Sequence, residues 1–318
     1  MSRIQPPISP TLSAGGLSQA AFAFLLPEIC GQGKNLRVVL LAADESSAER
    51  IHRDLEFQNS FRSQTWGSAE ILFLPGWEQS PYRNLQPGLS ARLERIRVCR
   101  RIMTEKEGRG WVLVSSVSSF LQRAASAEFL AESFPLHKGQ KIHPEELCRK
   151  LERFGYTAAE SVEDPGTFGL RGGILDVFSP SLDNPVRVEF FDEEIDSLRI
   201  FNPETQRSVR LLSEGDSVEI IPAREFPADQ PSLLVGRERI KDWCDRHDIP
   251  RAARERLGTL LNQGILTPEM DYLLPFFQSK PSWVSDLVSP GAQLVFAEPD
   301  IIRAEHEKWR ERQRELFT

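Results

Sequence analysis

The sequence has little cysteine, no long hydrophobic run and no excess of positive charge. The longest apolar stretch near the N-terminus, residues 20–26, is stopped by Pro27 and is far shorter than the roughly 20 residues that a membrane helix requires. Only Arg3 precedes this stretch as a basic charge, so a secretory signal peptide is not expected either. These absences predict a cytoplasmic protein with no membrane association.

The few cysteines exclude a disulfide framework and a zinc cluster. They lie dozens of residues apart, at Cys30, Cys99, Cys148 and Cys244. The nearest approach to a metal pair is Cys244 with His247, but no second pair stands at ligand spacing. A surface histidine beside a half-buried cysteine is the favoured interpretation, and we expect no metal site.

Charge and length limit the possible functions further. The net charge of −7 gives no overall field that would attract nucleic acid, so work on DNA is expected to depend on a partner or on other segments. The chain of 318 residues, 40% of them hydrophobic, is typical of a globular protein with two or three domains.

A working phosphate-binding loop is missing. Such a loop needs a glycine-rich turn followed by Lys-Ser or Lys-Thr at the start of a helix, so that backbone N–H groups and the lysine surround the phosphates. One segment stands in the right place but has leucine instead of the lysine; its residues are Gly15, Gly16, Leu17 and Ser18. Residues 31–35 contain Gly-Lys but precede a strand, which favours a helix C-cap and turn. There is also no serine-nucleophile elbow, so we predict no catalytic residue and no cofactor for this segment.

The first third of the chain alternates strand and helix signals. Strands are predicted over residues 36–43, 69–75 and 110–115, and helices over residues 48–57 and 89–103. Continuous apolar runs of this kind are typical of parallel strands that are covered on both faces. The pattern predicts an α/β layer fold.

The pattern changes near residue 134. A short amphipathic helix over residues 144–154 is followed by several alternating runs, which predict an antiparallel sheet carrying a helix. After Pro222 the pattern becomes helical again, over residues 231–247 and 250–262. A strand at 293–297 and a charged helix at 300–316 complete the chain.

Two runs of the predicted sheet place charged and apolar residues on a common face. Alternation over residues 185–191 and 195–200 assigns Val188 and Leu198 to the core. Both apolar sets reach one side only if the connecting loop has an odd number of residues, most simply 192–194, and this register pairs Arg187 with Arg199. Phe191 then lies outward with Ile195 opposite it. The acidic residues 192–196 are interpreted as a hairpin turn, since they lack the spaced oxygens of a calcium loop.

This face has two competing interpretations. A partner that supplies carboxylates and an apolar pocket would explain two paired arginines beside an outward Phe191. In the alternative, Glu189 screens the arginines and Phe191 lies under the helix at 144–154. The first interpretation implies that Arg187 and Phe191 can be truncated with little loss of stability. The facing of Arg171 stays open, because Gly172 and Gly173 permit a bulge, and a salt bridge to the turn carboxylates is the main competitor to a binding role.

Several motifs resemble the transcription-repair coupling factors and the nucleotide-excision-repair helicase UvrB. Residues 155–156, 163–178, 185–202 and 205–207 are similar to the second domain that the two families share. The sequence Pro-Gly-Trp-Glu-Gln-Ser-Pro-Tyr at residues 75–82, with Pro87 and Arg92-Leu93 behind it, resembles the coupling factors in particular, as do residues 222–227 and 264–277. The resemblance covers residues 10–300.

The resemblance implies a discontinuous first domain around an inserted second one. Residues 1–131 would form domain 1a, a degenerate P-loop-like α/β domain, and residues 220–318 a mainly helical domain 1b that packs on it. Residues 132–219 would form domain 2, an α+β domain with an antiparallel sheet that binds UvrA. The UvrA-contacting positions of the family match Arg171, Arg187 and Phe191, and Arg199 joins them through its predicted pairing.

The resemblance also implies what other parts of such a protein do. The whole family protein adds an RNA-polymerase-binding domain, a DNA translocase that uses ATP and Mg²⁺, and a C-terminal domain that masks the UvrA site. This chain is therefore expected to be an N-terminal segment that recruits UvrA without catalysis. Leu17 favours a coupling factor over UvrB, because it stands where UvrB has the lysine of a working phosphate loop. The short segment from Tyr82 to the helix at Leu89 favours it too, since it leaves no room for the DNA-gripping hairpin of UvrB. The alternative is a UvrB-type DNA-dependent ATPase fragment with an unusual nucleotide site.

Overall fold

The computed structural model describes residues 15, 19–31, 35–61, 66, 69–77, 88–104, 109–247, 249, 251–278, 280 and 282–317. Within these residues, no helix is long and apolar enough to cross a membrane. Gly16, Leu17 and Ser18 of the predicted degenerate loop lie outside them, whereas Gly15 is exposed. Residues 78–87, which include Tyr82, lie outside them as well.

The first third alternates helices and strands, as predicted. Its elements are α1 (Gln19–Cys30), β1 (Arg37–Ala42), α2 (Glu45–Phe61), β2 (Glu70–Leu74), α3 (Leu89–Met103), β3 (Trp111–Ser116), α4 (Val117–Phe120), β4 (Arg123–Ala124) and α5 (Ala127–Ala131). Helix α2 begins earlier than the predicted residue 48 because Asp44 caps it. The Asp44 Oδ1 atom accepts the backbone N–H of Ser47 at 2.7 Å, which satisfies a donor that the helix itself leaves unpaired.

The middle of the chain contains the predicted antiparallel sheet and its helix. The elements are β5 (Phe134–His137), α6 (Pro144–Arg153), β6 (Thr157–Ala158), β7 (Thr167–Arg171), β8 (Ile174–Val177), β9 (Val186–Phe191), β10 (Glu194–Phe201), β11 (Ser208–Leu211) and β12 (Ser217–Ile220). Six strands form one sheet in the order β11-β10-β9-β8-β7-β6, in which only β6 and β7 run parallel. Strands β5 and β12 pair separately, where the chain enters and leaves this unit.

The last third is mainly helical. Its elements are α7 (Gln230–Arg246), α8 (Arg251–Asn262), a 3-10 turn (Pro268–Leu273), α9 (Leu274–Phe277), β13 (Ser282–Trp283), a second 3-10 turn (Val284–Leu287), β14 (Gln293–Phe296) and α10 (Pro299–Phe317). The predicted helices and the predicted last strand are confirmed, with ends that differ by one residue at most. The two 3-10 turns were not predicted, since such short segments carry no clear periodicity.

Strand β14 returns to the first third and completes a four-stranded parallel sheet. The order is β14-β1-β3-β2, and apolar clusters cover both faces. Val38 and Leu40 pack with α1 and α2 on one face, while Val39 and Leu41 pack with α3 on the other. The structure is therefore mixed α/β with parallel and antiparallel sheets. The P-loop-like character of the first domain and the domain borders at residues 131 and 219 stay predictions.

A buried ion pair joins the first third of the chain to the segment that follows the antiparallel sheet. Arg95 of α3 is 0% exposed, and its Nε donates to the Glu225 carboxylate at 2.9 Å. Its other nitrogens donate to the carbonyl oxygens of Pro75 and Arg123 and to the Gln122 side chain. Burial raises the pKa of the Glu225 carboxyl, and the Arg95 guanidinium opposes this rise. The pair is thus placed where only mutual neutralisation makes the charges tolerable.

A second buried carboxylate links three separate segments. The Asp271 side chain accepts from Arg92 and from Arg224, each at 2.9 Å. The stem of Arg224 passes over Gly155, which has a φ of 80° and where an added Cβ would lie 2.7 Å from the Arg224 side chain. Arg153 of α6 forms partly exposed ion pairs with Glu132, which precedes β5, and with Asp229, which follows β12.

Substitutions in the buried pair are expected to be strongly coupled. Arg95→Met leaves Glu225 as an unpaired buried charge, and it should lower the free energy of unfolding by about 3–5 kcal/mol. Glu225→Met should cost a similar amount, and the double substitution clearly less than the sum of the two. Urea denaturation of the four proteins measures the coupling. Strict additivity would show that the two side chains do not neutralise each other.

Candidate partner-binding face

The six-stranded sheet has one covered face. Helix α6 lies on it, because its spacing puts Leu147 and Leu151 on one side, where both are 0% exposed against the core strands. His143 caps the helix, its Nδ1 atom accepting the Glu145 backbone N–H at 3.3 Å. We call the opposite side of the sheet the outer face.

The predicted pairing of the two arginines is confirmed. Arg187 lies opposite Arg199 in the β9–β10 ladder, and Val188 lies opposite Leu198 in the core. Residues directly opposite each other in an antiparallel pair share one face. Both arginines are therefore on the outer face.

This register arises differently from the prediction, which was a connecting loop with an odd number of residues. The connection is a two-residue turn, Asp192 and Glu193, and the ladder shifts by one residue between Ile195 and Ser197. This bulge supplies the extra residue that the three-residue loop was expected to provide. Ile195 consequently pairs with Phe190 and is 0% exposed, so its predicted outward position is wrong.

Phe191 projects from the end of β9 into solvent. It is 75% exposed, the highest value among the described large hydrophobic side chains. The alternative that placed it under the helix at 144–154 is wrong, because α6 packs on the covered face. A phenylalanine this exposed gains little burial free energy in this chain.

The arginine charges are balanced inside the molecule. Arg187 donates through two nitrogens to the Asp176 carboxylate, each at 2.7 Å, and its guanidinium lies 4.8 Å from the centre of the Phe201 ring. These hydrogen bonds raise the pKa of Arg187. Arg199 forms an ion pair with Glu189 at 3.3 Å, as the screening alternative expected. Repulsion between the two arginines is thus relieved without a partner.

Arg171 takes a defined position that sequence alternation left open. It ends β7 and lies opposite Ile174, which in turn lies opposite Glu189 of β9. These successive cross-strand pairs put Arg171 on the outer face. It is exposed, and its side chain makes no ion pair or hydrogen bond with any residue that the structure describes. The salt bridge to the turn carboxylates, which was the competing interpretation of Arg171, is therefore not formed with the described residues.

Two exposed apolar residues extend this face and were not found from the sequence. Ile174 is 40% exposed, and Leu211, which lies opposite Arg199, is 57% exposed. The signal that could have found them is cross-strand pairing rather than alternation, since the register of β8 and β11 cannot be read from either strand alone. Val162, Phe178 and Phe201 cluster beside Arg187, whereas Ile174 and Phe191 lie toward the Arg171 end of the face. Leu211 lies in the same cross-strand row as Arg187 and Arg199.

Comparison with known proteins shows what the chain is similar to. Residues 134–226 match the family model described as the UvrB interaction domain, and this range includes the four predicted site residues. The chain is 31% identical over 268 residues to the transcription-repair-coupling factor of Escherichia coli K12, covering 84% of this chain and 22% of that protein. It is 33% identical over 310 residues to that of Myxococcus xanthus, covering 94% and 25%. The chain is homologous to the transcription-repair-coupling factors.

The comparisons confirm the predicted resemblance to both the coupling factors and UvrB. UvrABC system protein B of Kosmotoga olearia is 34% identical over 139 residues, which cover 44% of this chain and 20% of that protein. The chain spans about a quarter or less of the coupling factors that it matches.

Truncations of Arg187 and Phe191 are expected to differ in their effect on folding. Arg187→Ala removes the paired hydrogen bonds to Asp176, so the free energy of unfolding should fall by about 1 kcal/mol, rather than stay unchanged as the sequence suggested. Phe191→Ala opens no cavity and should change it by less than about 0.5 kcal/mol. Urea denaturation measures both. A loss of about 3 kcal/mol for Phe191→Ala would show that the ring is buried.

Proposed function

We propose that this chain is the module of a transcription-repair-coupling factor that recruits UvrA during nucleotide excision repair. The observation that carries the proposal is the exposed Phe191 on the same face of the sheet as Arg171, within residues that match the UvrB interaction domain. By this proposal the chain is a binding unit and has no catalytic residue of its own.

The exposed end of the outer face has the composition of an interface centre. Aromatic and arginine side chains contribute most to protein–protein binding when the partner removes them from water. Phe191 offers an apolar anchor, and Ile174 and Leu211 supply apolar area on the same face. Arg171 has no partner among the described residues, so its guanidinium can donate two parallel hydrogen bonds to a carboxylate of UvrA without breaking an internal pair.

Arg187 and Arg199 have a different part in this proposal. Each is held by an internal carboxylate, Asp176 or Glu189, and each stays partly exposed. Their guanidinium groups are thus fixed in position before a partner arrives, which lowers the entropy lost on binding. A carboxylate of UvrA would share these arginines with the internal partners.

Other expected partners and cofactors belong to the longer protein. We infer that RNA polymerase, DNA, ATP and Mg²⁺ are bound by other domains of the coupling factor, and that its C-terminal domain masks the UvrA site. The site on this chain would then become accessible only when that domain moves away.

Binding of UvrA is expected to depend on the exposed end of the face. Phe191→Ala and Arg171→Ala should each weaken UvrA binding by more than about fivefold, which corresponds to about 1 kcal/mol. Phe24→Ala is the matched control, because Phe24 is 51% exposed on α1, which lies on the other sheet. Calorimetry with purified UvrA measures the affinities, and equal affinities for all four proteins would contradict the proposal.

The competing function is a UvrB-type ATPase, which the similarity to UvrABC system protein B suggests. The two functions differ in nucleotide binding. Without the phosphate-loop lysine, the chain should show no micromolar affinity for ATP in the presence of Mg²⁺. Calorimetry with Mg²⁺-ATP tests this, and a micromolar dissociation constant would favour the ATPase.

A further inference from the structure

Three of the four strands of the parallel sheet, β1, β3 and β2, end at a small cluster of hydrogen-bonding groups. Strand β1 is followed by Glu45, β2 by Gly76, and β3 ends at Ser116. The carboxyl ends of parallel strands are the common place for ligands in open α/β sheets. In this chain, a side chain of the protein itself occupies that place.

The Glu45 carboxylate is bound from two sides. Its Oε1 accepts the backbone N–H of Gly76 at 2.7 Å. Its Oε2 accepts the hydroxyl of Ser119 at 2.8 Å and lies 3.2 Å from the hydroxyl of Ser116. Three donors from two separate segments therefore converge on one anionic group.

The donors belong to a rigid, closely packed site. Ser116 is 0% exposed and Ser119 is 1% exposed, and their hydroxyls lie 2.7 Å apart. A Cβ added at Gly76 would lie 2.3 Å from the Ser119 hydroxyl, so only glycine lets the backbone N–H reach the carboxylate. A contact that does not involve Glu45 also joins the two serines, since the Ser116 hydroxyl oxygen accepts the Ser119 backbone N–H at 3.1 Å.

We propose that these donors form a latent oxyanion site for phosphate or sulfate, which Glu45 fills as a built-in anion. A backbone N–H and two hydroxyls suit the oxygens of a tetrahedral oxyanion as well as those of a carboxylate. In the native chain, Glu45 closes the site to such ions. The filling of this site by Glu45 is independent of the missing lysine of the phosphate-binding loop, and it does not depend on UvrA binding.

The test replaces Glu45 and supplies inorganic phosphate. Glu45→Ala should melt below the wild-type chain, and phosphate should raise its melting temperature in a saturable way by about 2–4 °C over chloride at equal ionic strength. The wild-type chain should show no such difference. Glu49→Ala is the matched control, since it removes an exposed charge from the same helix.

A second pair of variants separates site binding from a general salt effect. Glu45→Ala combined with Ser119→Ala should lose the response to phosphate, because one of the donors is gone. Glu45→Ser, with a side chain that is common at helix starts, provides the same measurement if the alanine variant does not fold. An equal response to phosphate in the wild-type chain and in Glu49→Ala, or no response in either Glu45 variant, would overturn the proposal.

Discussion

The buried neutralisation of Arg95 by Glu225 is the interaction on which the rest of the structure depends. Arg95 lies on α3 before the antiparallel sheet, and Glu225 follows that sheet in the sequence. Asp271 binds Arg92 and Arg224 in the same way. Since a buried charge without its partner costs several kcal/mol, the two flanks must close on each other. The inserted unit is thereby held at both of its ends, with its outer face left open.

Much of this fold could be predicted from the sequence, because the relevant signals are local. Apolar runs identified the parallel strands, and the spacing of Leu147 and Leu151 identified α6. The bulge near the start of β10 could not be predicted, since a three-residue loop and a two-residue turn with a bulge give the same pairing further along the strand. Ile195 was misplaced for this reason alone.

The candidate site could be predicted only in part, because the neighbours of a strand cannot be read from that strand alone. Alternation gives the face of Arg187 and Phe191, but it does not say which strand lies beside them. Asp176 is therefore absent from the sequence argument, although it holds Arg187 in the structure. The buried pairs were missed as well, because Arg95 is one of several arginines in a helical pattern and only the tertiary structure distinguishes it.

The central claim is that UvrA covers the outer face at Phe191. The most direct measurement replaces Phe191 by the photoreactive analogue benzoylphenylalanine and irradiates the chain with UvrA. The account predicts a covalent adduct with UvrA from position 191 and none from the same analogue at position 24, which lies on α1. Equal crosslinking from both positions, or crosslinking from position 24 alone, would contradict it.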